Sequence, residues 1–458
     1  MRNGTRAILA VCCAASVNCW PAFGREESTR DFRKSVALPG GRNLRIEHSL
    51  GSITVRTQPK NEVEIQATIK CSAETAELAR TCVNEIKIAV EESGAGVLLR
   101  TEYTERRDQH NLSQTVRYDI TIPETAPLEI RNRFGAVDVS NLHAPATINN
   151  GNGSVKLTGG RGRQRIDNSF GGVEVLNNDG EVTVVNGNGD VTASGITGAL
   201  DITNRFGNIR IANVGRGLIV HNGNGTVEAA HVTGIANLSN SFGAVIVSDA
   251  KSDLTVQNQN GEIGATDIAG TADLHTSFGG VKFARIGKGL TVRGANSTIV
   301  GDTVGGSATV ETSFGSIDLR GVKGGARAVA GNSSIRLTGV GGEVYAKTSF
   351  GGVTVEDAGG PVTVDNQTGS VTVISKPAQR CQPIRLQTSF GPLRVTVPRD
   401  AGYDVIARTS FGHIHSEPEM VVSGMLTTDQ ISGKIGSGGC ELRLTDQNGN
   451  IDIVKGAR

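Results

Sequence analysis

A Phe-Gly pair returns along this chain at one fixed interval, and that interval restricts the fold more than any other feature. It stands at Phe134, Phe170, Phe206, Phe242, Phe278, Phe314 and Phe350, always after the same 36-residue interval, with looser copies at Phe390 and Phe411. Midway between them lies a second motif, Gly-Asn-Gly, centred on Asn152, Asn188 and Asn224, which decays later into Ala295-Asn296-Ser297. Counted on the glycine both motifs share, the step is half that interval, an 18-residue unit. It runs from Gly135, Gly153 and Gly171 through Gly279 to Gly369, with Ser297 and Ser333 replacing the glycine twice. A fixed period of this size belongs to chains that stack one small unit on the next.

With the shared glycine as position 3, position 5 is Val or Ile in every unit, from Val137 and Val155 to Ile335 and Val371. Position 7 is mostly apolar, and positions 14 and 16 repeat the pattern, as in Leu200 and Ile202 or Leu254 and Val256. Apolar, largely β-branched residues two apart describe half-buried strands; a helix needs a spacing of three to four. The expected fold is therefore all-β: a β-solenoid (parallel β-helix) of 18-residue repeats, grouped as 36-residue double repeats, with one short helix in the N-terminal part.

Parity places the corners. The apolar set is even-numbered at Leu200 and Ile202, a series that also contains Phe206, and becomes odd-numbered at Ile209 and Ile211. Gly207 sits at the change and can hold backbone angles other residues avoid. A second corner is expected at positions 9 to 12, where Gly, Asn and Asp gather, as in Asn213-Val214-Gly215. On this reading Phe and Asn alternate at an inward corner, with Asn bonding backbone groups inside. One solenoid turn is either a single repeat, with each Phe above an Asn, or a double repeat, with Phe on Phe. Two facing strands per turn favour the single repeat.

Residues 1–24 read as a secretory signal peptide: Arg2 and Arg6, a short apolar core from Ala7 to Val17, then Ala22-Phe23-Gly24. That core is too short to span a bilayer. Cleavage there takes two of the 46 basic residues and no acid, leaving 44 against 45 acidic. Such a balance, with no basic tract, gives nucleic acid no electrostatic footprint. Four cysteines stay in the mature chain, and an oxidising compartment permits disulfides. Of the three pairings, Cys71–Cys82 with Cys381–Cys440 would tie the two irregular segments.

Residues 25–127 form a β-rich lead-in with the one credible helix, Ala73 to Asn84, capped by Ser72. The repeats occupy 128–412, interrupted by a proline-containing insert from Lys376 to Pro383. Residues 413–458 lose the spacing and are expected to close the open end with strands at Ile431–Ile435, Leu442–Leu444 and Ile451–Ile453.

Reactive chemistry is sparse. Calcium-binding glycine-rich coils need an aspartate in every turn, and Asp190 is isolated. The acids are scattered, unlike the clustered carboxylates of polysaccharide-cleaving solenoids. His413 and His415 share one strand face without a third metal ligand at a recognisable spacing. Nine of the 12 Phe belong to the repeating column, so an inward column leaves no aromatic platform for sugars. No catalytic residue, cofactor or metal site is expected.

The alternating Ser-Phe-Gly and Asn-Gly units, the helix near residues 73–84 and the ending Gly436 to Leu444 followed by Asn448-Gly449-Asn450-Ile451 resemble the adhesin-like β-strand-repeat proteins of bacterial envelopes, catalogued as a domain of unknown function. The resemblance covers nearly all of the mature chain. It implies an exported, non-enzymatic solenoid at the periplasm or cell surface, adhesive or structural, meeting an envelope protein or glycan. The alternatives are an envelope-stress component that binds a partner protein and a carbohydrate-active enzyme on a similar solenoid.

Overall fold

The computed structural model describes residues 25–103, 112–376, 380–423, 427 and 429–456. The expected signal peptide lies outside them. The chain is a parallel β-solenoid in which each turn is a single repeat. Val155 pairs in parallel with Val137 and Val173, and Phe206 with Asn188 and Asn224. The double-repeat turn is thereby excluded.

Each turn contributes one strand to each of two facing sheets. Sheet 1 holds strands such as Leu200–Phe206 and Leu218–Asn224; sheet 2 holds Ile209–Val214 and Val227–Val232. Between them lies one continuous apolar core, with Ile202, Ile209, Val220 and Val227 all 0% exposed. Each such side chain contributes about 1.5–3 kcal/mol on leaving water. Position 10, as in Val214, Val232 and Ile268, adds a further buried column where sheet 2 ends.

The first corner lies where parity placed it. Gly207 has φ +132°, and a Cβ there would collide with the carbonyl oxygen of Gly189 on the rung before. At the second corner, position 9 is left-handed in most rungs. Asn141, Asn177, Asn213 and Asp357 hold it, as do Gly159 and Gly195. Asn and Asp tolerate this geometry better than other side-chain-bearing residues.

The column of Phe does not point inward. Phe134, Phe170, Phe206, Phe242, Phe278, Phe314, Phe350, Phe390 and Phe411 are 43–75% exposed, and Asn152, Asn188 and Asn224 between them are exposed as well. The strand ladder breaks its pleat one residue before Phe: Asn204 pairs with Asn222 and Phe206 with Asn224, with no pair between. The chain has begun to turn before the glycine, so Phe206 lies on the outer rim. The inward corner is filled instead by Asn204, 2% exposed.

At the N-terminal end, β1 (Glu26–Ala37), β2 (Asn43–Leu50), β3 (Ile53–Gln58) and β4 (Glu62–Ala73) lead into α1 (Ala76–Glu85). β5 (Lys87–Glu92), β6 (Gly96–Glu102) and β7 (Ser113–Pro123) follow. β2 and β3 form a rung directly under Leu128–Phe134 and Val137–Ser140, and β6 and β7 lie in parallel under β2 and β3. Antiparallel β5 then covers β6, while β4 and β1 cover β7, so a different pairing mode closes the stack. The helix starts later than Ala73 and its cap is Thr75, whose Oγ1 accepts from the Leu78 amide at 3.2 Å. The ladder to β1 pairs Ala73 with Glu26 and keeps the chain extended to that point. Arg30 of β1 donates to the Val83 and Ile86 carbonyls at the helix end, and a Cys71–Cys82 disulfide joins β4 to α1.

At the other end, chain order and spatial order part. Cys440–Thr445 and Ile451–Lys455 do not lie beyond the last repeat as a cap. They form a rung inserted between Ile384–Gln387 with Leu393–Val397 and Tyr403–Arg408 with Ile414–Ser416. Antiparallel Gln430–Ile435 covers the exposed side of Tyr403–Arg408. A Cys381–Cys440 disulfide anchors the inserted rung to the irregular segment before Ile384.

Candidate functional site: an aromatic edge

The outer rim before the first glycine corner carries Phe on alternate rungs. At roughly 4.8 Å per rung, successive Phe side chains stand about 9.6 Å apart, with Asn or Thr between them. The alternation holds through Phe350, Thr368 and Phe390. It survives the break in chain order, because Asn448 of the inserted rung bridges to both Phe390 and Phe411. At the start, Leu50 lies beside Phe134. Arg133 and Arg205 lay their guanidinium groups 5.4 Å from the centres of the Phe134 and Phe206 rings.

The rim differs chemically from the two sheet faces. Among residues flanking the Phe column on either side (positions 1 and 4), from Arg133 to Phe411, only Arg133, Asp190, Arg205 and Glu262 are Asp, Glu, Lys or Arg. The rest are mainly Gly, Ser, Ala, Thr, Gln and Asn. Elsewhere, opposite charges on neighbouring rungs pair: Lys156 with Glu174 at 3.0 Å, Arg163 with Glu181 at 2.8 Å and Lys347 with Asp365 at 3.1 Å. At the second corner Arg285 holds the Asp267 carboxyl below its ordinary range by a direct hydrogen bond. These exposed pairs each add little stability, but they make the sheet faces charged while the rim is nearly free of charge.

A shallow groove runs beside the rim on the outside of sheet 1. Near its middle it has a volume of about 760 Å³ and is walled by Phe170, Phe206, Val185 and His221, with Gly187 and Gly223 in its floor. It continues past Arg131 and Asp167 in one direction and past Gln257 and His275 in the other.

Beneath the rim runs a column that the sequence reading missed. Asn132, Asn150, Asn168, Asn186, Asn204, Asn222 and Asn240 are buried, and each of the first six donates its Nδ2 to the Oδ1 of the next at 3.0–3.3 Å. Each Nδ2 also meets the carbonyl of the corner glycine three residues on, as Asn204 does with Gly207. Thr276, Thr312 and Thr348 continue the column, and each hydroxyl donates to the carbonyl of the Phe two residues later. The signal was present: from Asn132 to Asn258 these Asn recur without a break, with the same period as the glycines. The buried ladder holds the corner backbone and thereby aims each Phe outward.

The column ends in ionisable groups. His48 continues it below Asn132, with Nδ1 3.0 Å from Thr101 Oγ1, and burial pushes its pKa down to about 4. The Tyr118 hydroxyl lies 2.6 Å from the same Oγ1, and burial pushes it up to about 12. Near the other end Asp446 is 2% exposed, and desolvation raises its pKa.

Among the described residues no three His, Cys, Asp or Glu gather as metal ligands, and no helix is long and apolar enough to cross a membrane. His413 and His415 stay at the rim and on the last short strand of sheet 2, away from the groove.

No family model and no curated protein matches the sequence. Among solved structures, one from Clostridium sporogenes, described as a "putative cell adhesion protein", is 10% identical, with 94% of this chain and 100% of that one covered and a TM-score of 0.16. A likeness that low carries no argument about function, and the site must be read from its own chemistry.

Proposed function

We propose that this chain is an exported, non-enzymatic rod that binds another macromolecule along its Phe edge, in an adhesive or scaffolding role in the bacterial envelope. The observation that carries the reading is the repeated exposure of Phe on a rim nearly free of charge, while the sheet faces are studded with ion pairs. Soluble monomers rarely expose apolar patches beyond a few hundred Å², and larger ones mark interaction surfaces. The regular spacing supports an extended contact over a single small-molecule site. Export is supported by the basic and apolar pattern of residues 1–24 and by the Cys71–Cys82 and Cys381–Cys440 disulfides, which suit an oxidising compartment.

The test compares the purified chain with a Phe206→Ser, Phe242→Ser, Phe278→Ser variant for retention on itself, on envelope fractions and on immobilised polysaccharides. Retention that the triple variant loses supports the reading; equal retention by both, or none by either, overturns it. Release of reducing ends from any polysaccharide by the purified rod would instead favour an enzyme.

A further inference from the structure

We propose that the Phe edge pairs with the same edge of a second copy of this chain, the two rods antiparallel and shifted by one rung, so that each Phe from Phe134 to Phe390 of one meets an Asn or Thr gap rung of the other. This rests on the reading of the edge as a binding surface and names its occupant.

The shape is self-complementary. Teeth and gaps alternate rung by rung from Phe134 to Phe411, with Asn332 between Phe314 and Phe350 where the edge pairing lapses. Several gap rungs carry small neighbours, as in Gly151-Asn152-Gly153 and Gly187-Asn188-Gly189, and leave room for a ring, while Gln259, Gln367 and Gln447 flank three others. The alternation persists where the chain departs from its own order, since Asn448 arrives from the far end of the sequence to separate Phe390 from Phe411. A rim that only needed to be apolar would not require a polar residue at that rung.

The area suits a stable pair. The eight Phe from Phe134 to Phe390, at 43–57% exposure, present together roughly 800 Å² per copy, for side chains of about 200 Å² each. Two such edges bury about 1,600 Å², the usual size of a stable, specific interface. Aromatic enrichment with charge depletion is also the composition of an interface centre.

Symmetry selects the direction. Two parallel rods related by an axis along their length would set Phe level with Phe. Sliding one by a rung relieves that but gives a head-to-tail contact that does not close. A two-fold axis across the rods, at a height midway between the rungs of Asn260 and Phe278, closes the pair. It sets Phe278 of each copy level with Asn260 of the other, Phe390 level with Asn152, and Phe134 level with Asn448.

Sedimentation velocity of the full chain over a concentration series, with single-cysteine crosslinking, tests this. The wild type should be a dimer. Phe206→Ser, Phe242→Ser and Phe278→Ser together should weaken it by about a hundredfold without changing the circular dichroism spectrum, because all three rings are exposed. Asn260→Cys, near the axis, should crosslink copy to copy, whereas Asn152→Cys, far from it, should not. Crosslinking of both would mean a parallel arrangement and overturn the proposal, as would crosslinking of neither. A dimer indifferent to the Phe substitutions would do the same. A monomer that holds a polysaccharide or another protein through its Phe edge would overturn the second copy while leaving the binding reading intact. A monomer that holds nothing would end both.

Discussion

Ser297 occupies the space that a side chain at Gly294 would need: a Cβ on Gly294 would lie 2.6 Å from the Ser297 Cβ. Gly294 stands on the buried Asn/Thr column, where its neighbours are Thr276 and Thr312. Ser297, 1% exposed, stands where other rungs have the corner glycine and turns inward to fill the vacated volume. Two departures from the repeat thus compensate each other.

This pair predicts a non-additive cycle. Gly294→Asn alone should be destabilising through that clash, and Ser297→Gly alone through the cavity it leaves, by about 1–3 kcal/mol each. The double variant restores the repeat, with Asn able to donate to the corner carbonyl. It should recover most of the loss, which a double-mutant cycle by urea unfolding reads directly.

Asn204→Leu keeps the volume but removes the acceptor for Asn186 Nδ2 and the donor to the Gly207 carbonyl. Buried groups left without partners cost about 1–3 kcal/mol. Amide exchange should quicken at the corners on either side, while rungs far along the rod keep their protection, because solenoid stability is carried by neighbouring rungs.

Asp446 is the one carboxylate on the buried column among the described residues. Its Oδ1 accepts from the Asn448 amide at 3.1 Å, but burial dominates and favours the protonated acid. A raised pKa means that folding is favoured below the unfolded value and that this contribution is lost as pH rises through the folded one. Asp446→Asn should therefore stabilise the chain at neutral pH by about 1 kcal/mol. The difference should shrink as pH falls towards 4, as read from unfolding midpoints across pH.

His48 works in the opposite pH direction. Burial lowers its pKa from 6.5 to about 4, so between those values the unfolded chain binds the extra proton. Stability is complete above about 6.5 and should fall by about 3 kcal/mol as pH drops towards 4. His48→Asn should flatten that slope, since an amide does not titrate.

How much of this was legible follows from what repeats. Val137 and its counterparts revealed the strands, Gly207 and its counterparts the corner, and the spacing of the shared glycine the turn, because a stacked fold imposes the same local demand on every rung. The helix start was misjudged because Glu26, distant in sequence from Ala73, holds that residue in a strand. Similarly, within 413–458, read as a closing cap, Gln430–Ile435 does cover an end strand but 440–455 insert as a rung, because local pattern identifies strands but not the edge on which they pair.

The aromatic edge shows the division most clearly. The sequence by itself determined that Phe would recur on every second rung and that Asn204 and its equivalents would recur two residues earlier. Only the tertiary structure decided which of the two faces inward. A narrow corner excludes a ring but admits an amide that can satisfy the turning backbone, so Asn is buried and Phe is left in the solvent, where the chain can use it.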